Sequence, residues 1–232
     1  MAFDPKVAIV TGASAGIGRA TALALAERGL AVGLTSRNVG ALESVARAIR
    51  AKGGRACAVR ADVAQRAQVE ALADAVAREL GPVDLLVNNA GVVARSPVVE
   101  TSEKTWDAVI DVNLKGAFLC AKAVLPTMIE RGRGRIVNVA SISATLGTPS
   151  LAAYCASKWG VLGFTKALAE EVRGNGVHVF AVSPGSVNTE MLRHGLPGAT
   201  PQMEPEDVAS VIVYLASGAP SQMTGAAIDV FG

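Results

Sequence analysis

Aromatic side chains are scarce, 4% of the 232 residues, and Trp106 and Trp159 read as packing groups rather than platforms for a stacked substrate. Cysteine is scarcer still. Cys57, Cys120 and Cys155 are odd in number, widely spaced and in no Cys-x-x-Cys pair; they read as reduced, mostly buried thiols of a cytoplasmic protein. Of the two histidines, His178 falls in a strand and His194 in a loop. Neither has a second ligand at metal-binding spacing, so no metal site is expected. No apolar run approaches the roughly 18 residues of a membrane-spanning helix, and Met1-Ala2-Phe3-Asp4-Pro5-Lys6 lacks the apolar stretch of a signal peptide. A net charge of +2 with 18% charged residues is too balanced for a nucleic-acid or anionic-membrane partner.

What is present is mostly apolar, half of the residues, and a large core can be buried. No composition shift, low-complexity linker or residue-level repeat divides the chain, so a single domain over residues 1–232 is expected. Strands are predicted at 7–10, 31–36, 56–63, 84–87, 135–139, 177–182 and 226–230. Helices alternate with them, at 17–28, around 42–49, 69–80, 102–130 with Pro126 as a kink or break, 152–172 and 205–216. Residues 190–204 fall in a stretch rich in Pro and Gly and are expected to form a substrate loop. Strands that read as unbroken apolar runs between helices imply a parallel sheet covered on both faces. The fold class is therefore α/β, a doubly wound three-layer αβα sandwich.

Thr11-Gly12-Ala13-Ser14-Ala15-Gly16-Ile17-Gly18 joins the first strand to the first helix. Glycines there let the backbone approach a pyrophosphate, and the helix N-terminus supplies free N–H groups and the positive end of a dipole. The spacing Gly-x-x-x-Gly-x-Gly is not the commonest dinucleotide fingerprint, and no Lys-Ser/Thr follows as in a Walker loop. Its place directly after the first strand favours a dinucleotide site over a merely tight turn. Gly12, Ser14, Gly16, Ile17 and Gly18 are the candidates. At the end of the second strand, where NAD sites usually carry an acid for the ribose 2′-hydroxyl, stand Ser36 and Arg37. A carboxylate would repel a 2′-phosphate, whereas a guanidinium binds it. NADPH is the expected cofactor, with NADH as the alternative.

Tyr154 and Lys158 lie four apart in Tyr154-Cys155-Ala156-Ser157-Lys158, on one face of a helix. An ammonium held near a phenol favours the phenolate. At an effective dielectric of about 20, a charge roughly 4 Å away is worth about 4 kcal/mol, a pull of up to about three pKa units before burial opposes it. A phenol so tuned suits general acid–base exchange with an alcohol or carbonyl oxygen. Tyr-x-x-x-Lys alone is a weak signal; Ser141, thirteen residues upstream, and Asn113 give it context.

With these pieces in hand, the chain resembles the short-chain dehydrogenase/reductase family, in the compact branch that includes 3-oxoacyl-carrier-protein reductases, over Val7 to Gly225. The resemblance implies a Rossmann-type sandwich on a parallel seven-stranded sheet. It places Thr11, Gly12, Gly16, Ile17 and Gly18 around the pyrophosphate, and Asp62 and Val63 at the adenine. Asn88, Ala90 and Gly91 fall beside the adenosine ribose and central sheet. Pro184, Gly185, Val187 and Thr189 belong to the segment around the nicotinamide amide. Asn113, Ser141, Tyr154 and Lys158 match the catalytic tetrad. Tyr154 would give the carbonyl oxygen its proton, and Ser141, with Ser143 as its competitor, would hold that oxygen. Lys158 would lower the Tyr154 pKa and grip the nicotinamide ribose, while Asn113 would position a water that returns protons to Lys158. A homodimer or homotetramer is implied, through the helices at about 102–130 and 152–173 and the last strand.

The implied activity is an NADPH-dependent carbonyl reductase acting on a ketone, with 3-oxoacyl thioesters among the candidates. The same site run in reverse is a secondary-alcohol dehydrogenase. A non-catalytic dinucleotide sensor or scaffold is the rival from another class, and the presence of all four tetrad residues speaks against it. Three departures from the pattern stand out. Only fifteen residues separate Thr189 from Pro205, the glycine loop has Ser14 and Ala15 where many NADP-linked relatives carry a basic residue, and the C-terminus lacks the usual double glycine.

Overall fold

The structure is a computed structural model, and it describes residues 3–232. β1 (Val7–Thr11) is buried along its whole length, as a strand covered on both faces must be. It pairs in parallel with β2 (Ala31–Ser36) on one side and β4 (Leu85–Asn88) on the other. β3 (Ala56–Arg60), β5 (Gly134–Val139), β6 (Val177–Pro184) and β7 (Ala227–Val230) complete a parallel sheet in the order β3-β2-β1-β4-β5-β6-β7. The order reverses between β1 and β4, and such a switch point opens a crevice at the carboxyl ends of the strands.

Helices cover both faces. α1 (Gly16–Glu27), α2 (Val39–Ala51) and α8 (Pro205–Val213) bury Leu25, Leu42, Ile49 and Ile212 on one side. α3 (Arg66–Leu80), α5 (Gly116–Glu130) and α6 (Ala152–Glu171) bury Leu72, Val76, Met128 and Leu168 on the other. Each such aliphatic side chain contributes roughly 1.5–3 kcal/mol when fully buried. The doubly wound αβα sandwich is thus built on two apolar layers. Gly33 lets α3 approach closely, since a Cβ there would lie 2.4 Å from Val76 Cγ2. Among the described residues no helix is long and apolar enough to cross a membrane.

The long helix predicted over 102–130 is two helices, α4 (Glu103–Ile110) and α5, joined by a wide π-type turn at Asp111–Lys115. Pro126 does not break it; α5 runs through that residue, and the discontinuity falls around Asn113. A short helix, α7 (Glu190–Gly195), interrupts the stretch expected to be irregular; Thr189 caps it by accepting the Leu192 amide at 3.2 Å. β3 stops at Arg60, because the Asp62 side chain takes the Ala64 amide at 3.0 Å and turns the chain. β6 continues to Pro184, paired with Val230.

The amino ends of the strands are tied by charge. Asp84 is buried, accepts from Arg131 Nη2 at 2.6 Å and from the Lys6 amide at 2.8 Å, and pairs with Arg133 Nε at 3.3 Å. Buried Arg135 donates to the carbonyls of Leu215 and Ala219 at 2.6 and 2.7 Å, closing the end of α8 and the wide turn after it.

Candidate active site

A cleft of about 530 Å³ opens at the carboxyl ends of the strands, across the switch point. The glycine loop forms one edge. Gly12 and Gly16 have φ of +66° and +52°, a region other residues enter only with strain. A Cβ on Gly12 would lie 2.9 Å from Ala90 Cα. α1 starts without a side-chain cap and with no acid in its first turn, so its first amides are open to an anion. Ser14, Gly16 and Ile17 line the cleft together with Gly12. Gly18 does not; a Cβ there would lie 2.3 Å from the Gly12 carbonyl oxygen, so its lack of a side chain lets the helix and loop pack.

Thr11 and Asn89 hold this loop to the end of β4. Thr11 Oγ1 accepts the amides of Asn89 and Ala90 at 3.0 and 2.9 Å, and Asn89 Nδ2 donates to the Thr11 carbonyl at 2.9 Å. Asn89, which the resemblance does not single out, lines the cleft with Ala90 and Gly91. Asn88, expected beside the adenosine ribose and central sheet, is buried away from the cleft and donates to Asn138 Oδ1 at 2.9 Å and to the Ala117 carbonyl at 3.2 Å. The doubled asparagine was the available signal; which of the two faces the cleft depends on the strand's register.

Ser36 and Arg37 line the far end at the tip of β2, with Asp62 and Val63 beside them. Pro184, Gly185, Val187 and Thr189 line the opposite edge. Open helix amides, a glycine cradle and a guanidinium in place of an acid fit a dinucleotide with its phosphates at the glycine loop.

Ser141, Ser143, Tyr154 and Lys158 meet in the middle of the cleft. Ser141 follows β5, and its Oγ accepts the Ser143 amide at 3.2 Å. Tyr154 and Lys158 lie one turn apart on α6, with Lys158 Nζ 5.7 Å from the Tyr154 ring centre. Lys158 is buried and donates to the Val139 carbonyl at 2.8 Å. Burial drops its pKa from 10.5 to about 8. Contrary to expectation, proximity to Lys158 does not bring the phenol below its ordinary pKa. Burial of the hydroxyl raises the Tyr154 pKa even though part of the residue reaches the cleft opening; Ser141 pulls it down and Cys155 adds to the rise. Desolvation opposes the charged form of both groups.

Asn113 sits behind this group, buried in the wide turn. Its Oδ1 accepts the Val92 amide at 2.8 Å, and its Nδ2 donates to the Val92 carbonyl at 3.0 Å and to Ser157 Oγ at 2.9 Å. Both Nδ2 protons are thereby engaged, so a water beside Asn113 would need another of its atoms. Ser157 in turn donates to the Tyr154 carbonyl at 2.7 Å. This serine, unremarked in the sequence, links Asn113 to the catalytic helix; its place between Tyr154 and Lys158 was the clue. A Cβ on Gly91 would lie within 3.4–3.7 Å of Asn113 Oδ1, Met191 Cε and Lys158 Nζ, which marks where these elements converge. His178 and His194 do not line the cleft.

Beyond Tyr154 the cleft is walled by Val93, Thr148 and Leu151 and roofed by Met191, Leu192 and Leu196. The walls are braced to each other. The Ser96 amide donates to the carbonyl of Ser150 at 2.8 Å, and Arg95 Nη1 donates to the carbonyl of Gly195 at 3.3 Å. Ser150 has φ of 63°, the one non-glycine residue of positive φ among those described.

The family described as short chain dehydrogenase matches residues 6–197. The chain belongs to this family. It is 40% identical to a 3-oxoacyl-acyl-carrier-protein reductase of Synechocystis sp., covering 100% of this chain and 97% of the relative. A D-threitol dehydrogenase of Mycolicibacterium smegmatis is 40% identical, with 99% and 93% covered. A cis-4-hydroxycyclohexanecarboxylate dehydrogenase of Sinomonas cyclohexanicum is 42% identical, with 100% and 97% covered. This short chain dehydrogenase is an oxidoreductase of CH–OH and C=O groups that uses a nicotinamide dinucleotide.

Proposed function

We propose that the protein is an NADPH-dependent carbonyl reductase of the cytoplasm, with Tyr154 as general acid. The observation that carries this reading is the meeting of the Tyr154 phenol, the Ser141 hydroxyl and the buried Lys158 amine, which has no carboxylate partner, in one cleft. The dinucleotide, when bound, supplies the hydride that reaches the carbonyl carbon. Tyr154 gives its proton to the carbonyl oxygen, and Ser141 donates a hydrogen bond to the same oxygen as its charge grows. Lys158 holds a ribose hydroxyl and passes a proton to Tyr154 after each turnover, and Asn113 keeps the neighbouring Val92 loop in place. Gly12, Gly16 and Ile17 take the pyrophosphate, Asp62 and Val63 the adenine, and Val187 and Thr189 the nicotinamide amide. Arg37 favours a 2′-phosphate.

The names of relatives span acyl-carrier-protein thioesters, a polyol and a cyclic hydroxy acid. A 3-oxoacyl thioester is therefore one candidate substrate, and alcohol oxidation at the same site is the second reading. Burial pushes both Cys57 and Cys120 up to about 12, so neither is a candidate nucleophile. The test is NADPH consumption against a panel of ketones and acyl thioesters, repeated with Tyr154→Phe. Turnover is expected for the native protein, with a loss of about 10³-fold or more in the variant and coenzyme affinity kept. A fully active Tyr154→Phe protein contradicts the mechanism, and NADH outperforming NADPH by about tenfold contradicts the role of Arg37.

A further inference from the structure

The helix α7 crosses the cleft from one wall to the other. At its start Thr189 lies against the glycine loop, where a Cβ on Gly16 would be 3.1 Å from Thr189 Cγ2. At its end Gly195 meets Val93, and a Cβ on Gly195 would lie 3.1 Å from Val93 Cγ2. The segment that carries α7 is tied at its base, since the Asn188 amide donates to the Met203 carbonyl at 2.9 Å. Val93 stands on the substrate side. The chain around it leaves Gly91, where a Cβ would lie 3.7 Å from Lys158 Nζ, and runs to Ser96. The Ser96 amide donates to the Ser150 carbonyl at 2.8 Å, one residue before Leu151 at the foot of the helix that carries Tyr154. Ser150 is held at a φ of 63°, a conformation a serine keeps only where its surroundings impose it. Arg95 Nη1 donates to the Gly195 carbonyl at 3.3 Å and does not itself line the cleft.

Val93, Leu151 and Gly195 all line the cleft, so this closure is a wall that the body of a substrate meets. An apolar body gains by burial against Val93, Leu151 and Leu196. A wall braced on both sides yields little, however, and a body too large for it costs more than the added contact returns. We infer that Val93, pressed against Gly195, sets an upper size limit on the substrate. The site takes ketones with a compact apolar body and rejects those carrying a further ring. Arg95 is a positioning residue that keeps the wall closed. The inference rests on the carbonyl-reductase reading of the same cleft.

The test uses matched pairs with NADPH: cyclohexanone against 2-decalone, and ethyl 3-oxobutanoate against ethyl 3-cyclohexyl-3-oxopropanoate. A cleft with room to spare would favour the larger member of each pair, because extra apolar surface strengthens binding. The expected result is the reverse, a kcat/KM favouring the compact member by about tenfold or more. Val93→Ala should narrow that ratio at least about threefold by raising the rate on the larger ketones. Arg95→Ala should narrow it in the same sense, with the coenzyme KM within about twofold of native, whereas Arg95→Lys, which keeps a donor, should restore the native ratio. Larger ketones reduced as well as compact ones, or a ratio that neither alanine variant moves, would overturn the inference while the reductase reading stands. No turnover of any of the four ketones would overturn both.

Discussion

The two ends of the sheet each bury charge, and they treat it in opposite ways. At the amino ends Asp84 is surrounded by Arg131, Arg133 and the amides of Lys6 and Val7. At the carboxyl ends Lys158 is equally buried but has a single backbone carbonyl for company, beside a phenol whose ionisation is suppressed and a helix whose first amides lack a cap. The first arrangement holds the chain together. The second leaves charge unsatisfied until a ligand arrives, at a cost in stability. Burial without a counter-charge does not by itself mark the chemistry, since buried Arg135 at the amino ends is held by two carbonyls alone; a buried charge without a counter-charge that also lines the cleft does.

Removing Asp84 should give the largest effect on stability. Asp84→Ala leaves two guanidinium groups and two amides without their acceptor and is expected to cost about 3 kcal/mol, the low end for a broken buried pair because Arg131 and Arg133 reach solvent. Urea unfolding measures it, and coenzyme affinity should change less than about twofold since the cleft lies at the other end. A loss under about 1 kcal/mol would erase the contrast.

Lys158→Met should act in the reverse sense, raising the melting temperature at pH 7 by a few degrees, about 1 kcal/mol, while abolishing turnover. The folded-state pKa of Lys158 lies below its ordinary value, about 8 against 10.5. Between those values the unfolded chain binds the extra proton, so the native protein gains stability as pH rises. The advantage of the variant should be full below pH 8 and shrink toward pH 10.5. A variant that melts lower at pH 7, or whose gain ignores pH, would break the comparison.

Much of this contrast was legible in the sequence. Unbroken apolar runs such as Val7–Thr11 announce strands buried on both faces, and the glycines after β1 announce an anion cradle. Arg37 at the tip of β2 and the Tyr154–Lys158 spacing also declare themselves, because each depends on local geometry. What stayed hidden depends on distant partners. Nothing near Asn113 in the chain says that its amide will be held by Val92 and Ser157. The wide turn that places it looks like ordinary helix, and Pro126 drew attention in its stead. α7 was concealed by the prolines and glycines around it, although Thr189 before Glu190 is a capping signal. The direction of the Tyr154 shift is not legible locally, because the depth of burial, unlike the spacing of two side chains, is set by the whole fold.

The most direct measurement is the pH dependence of initial rates in both directions on one ketone–alcohol pair. Reduction needs the Tyr154 proton and a charged Lys158, so its rate should fall as pH rises through about 8, where Lys158 loses its charge. Oxidation needs the phenol ionised, and because burial raises that pKa above its ordinary value, its rate should climb only at higher pH, beyond the range in which reduction falls. Slopes of the same sign, or rates indifferent to pH, would contradict a proton exchanged at Tyr154 beside an uncompensated Lys158.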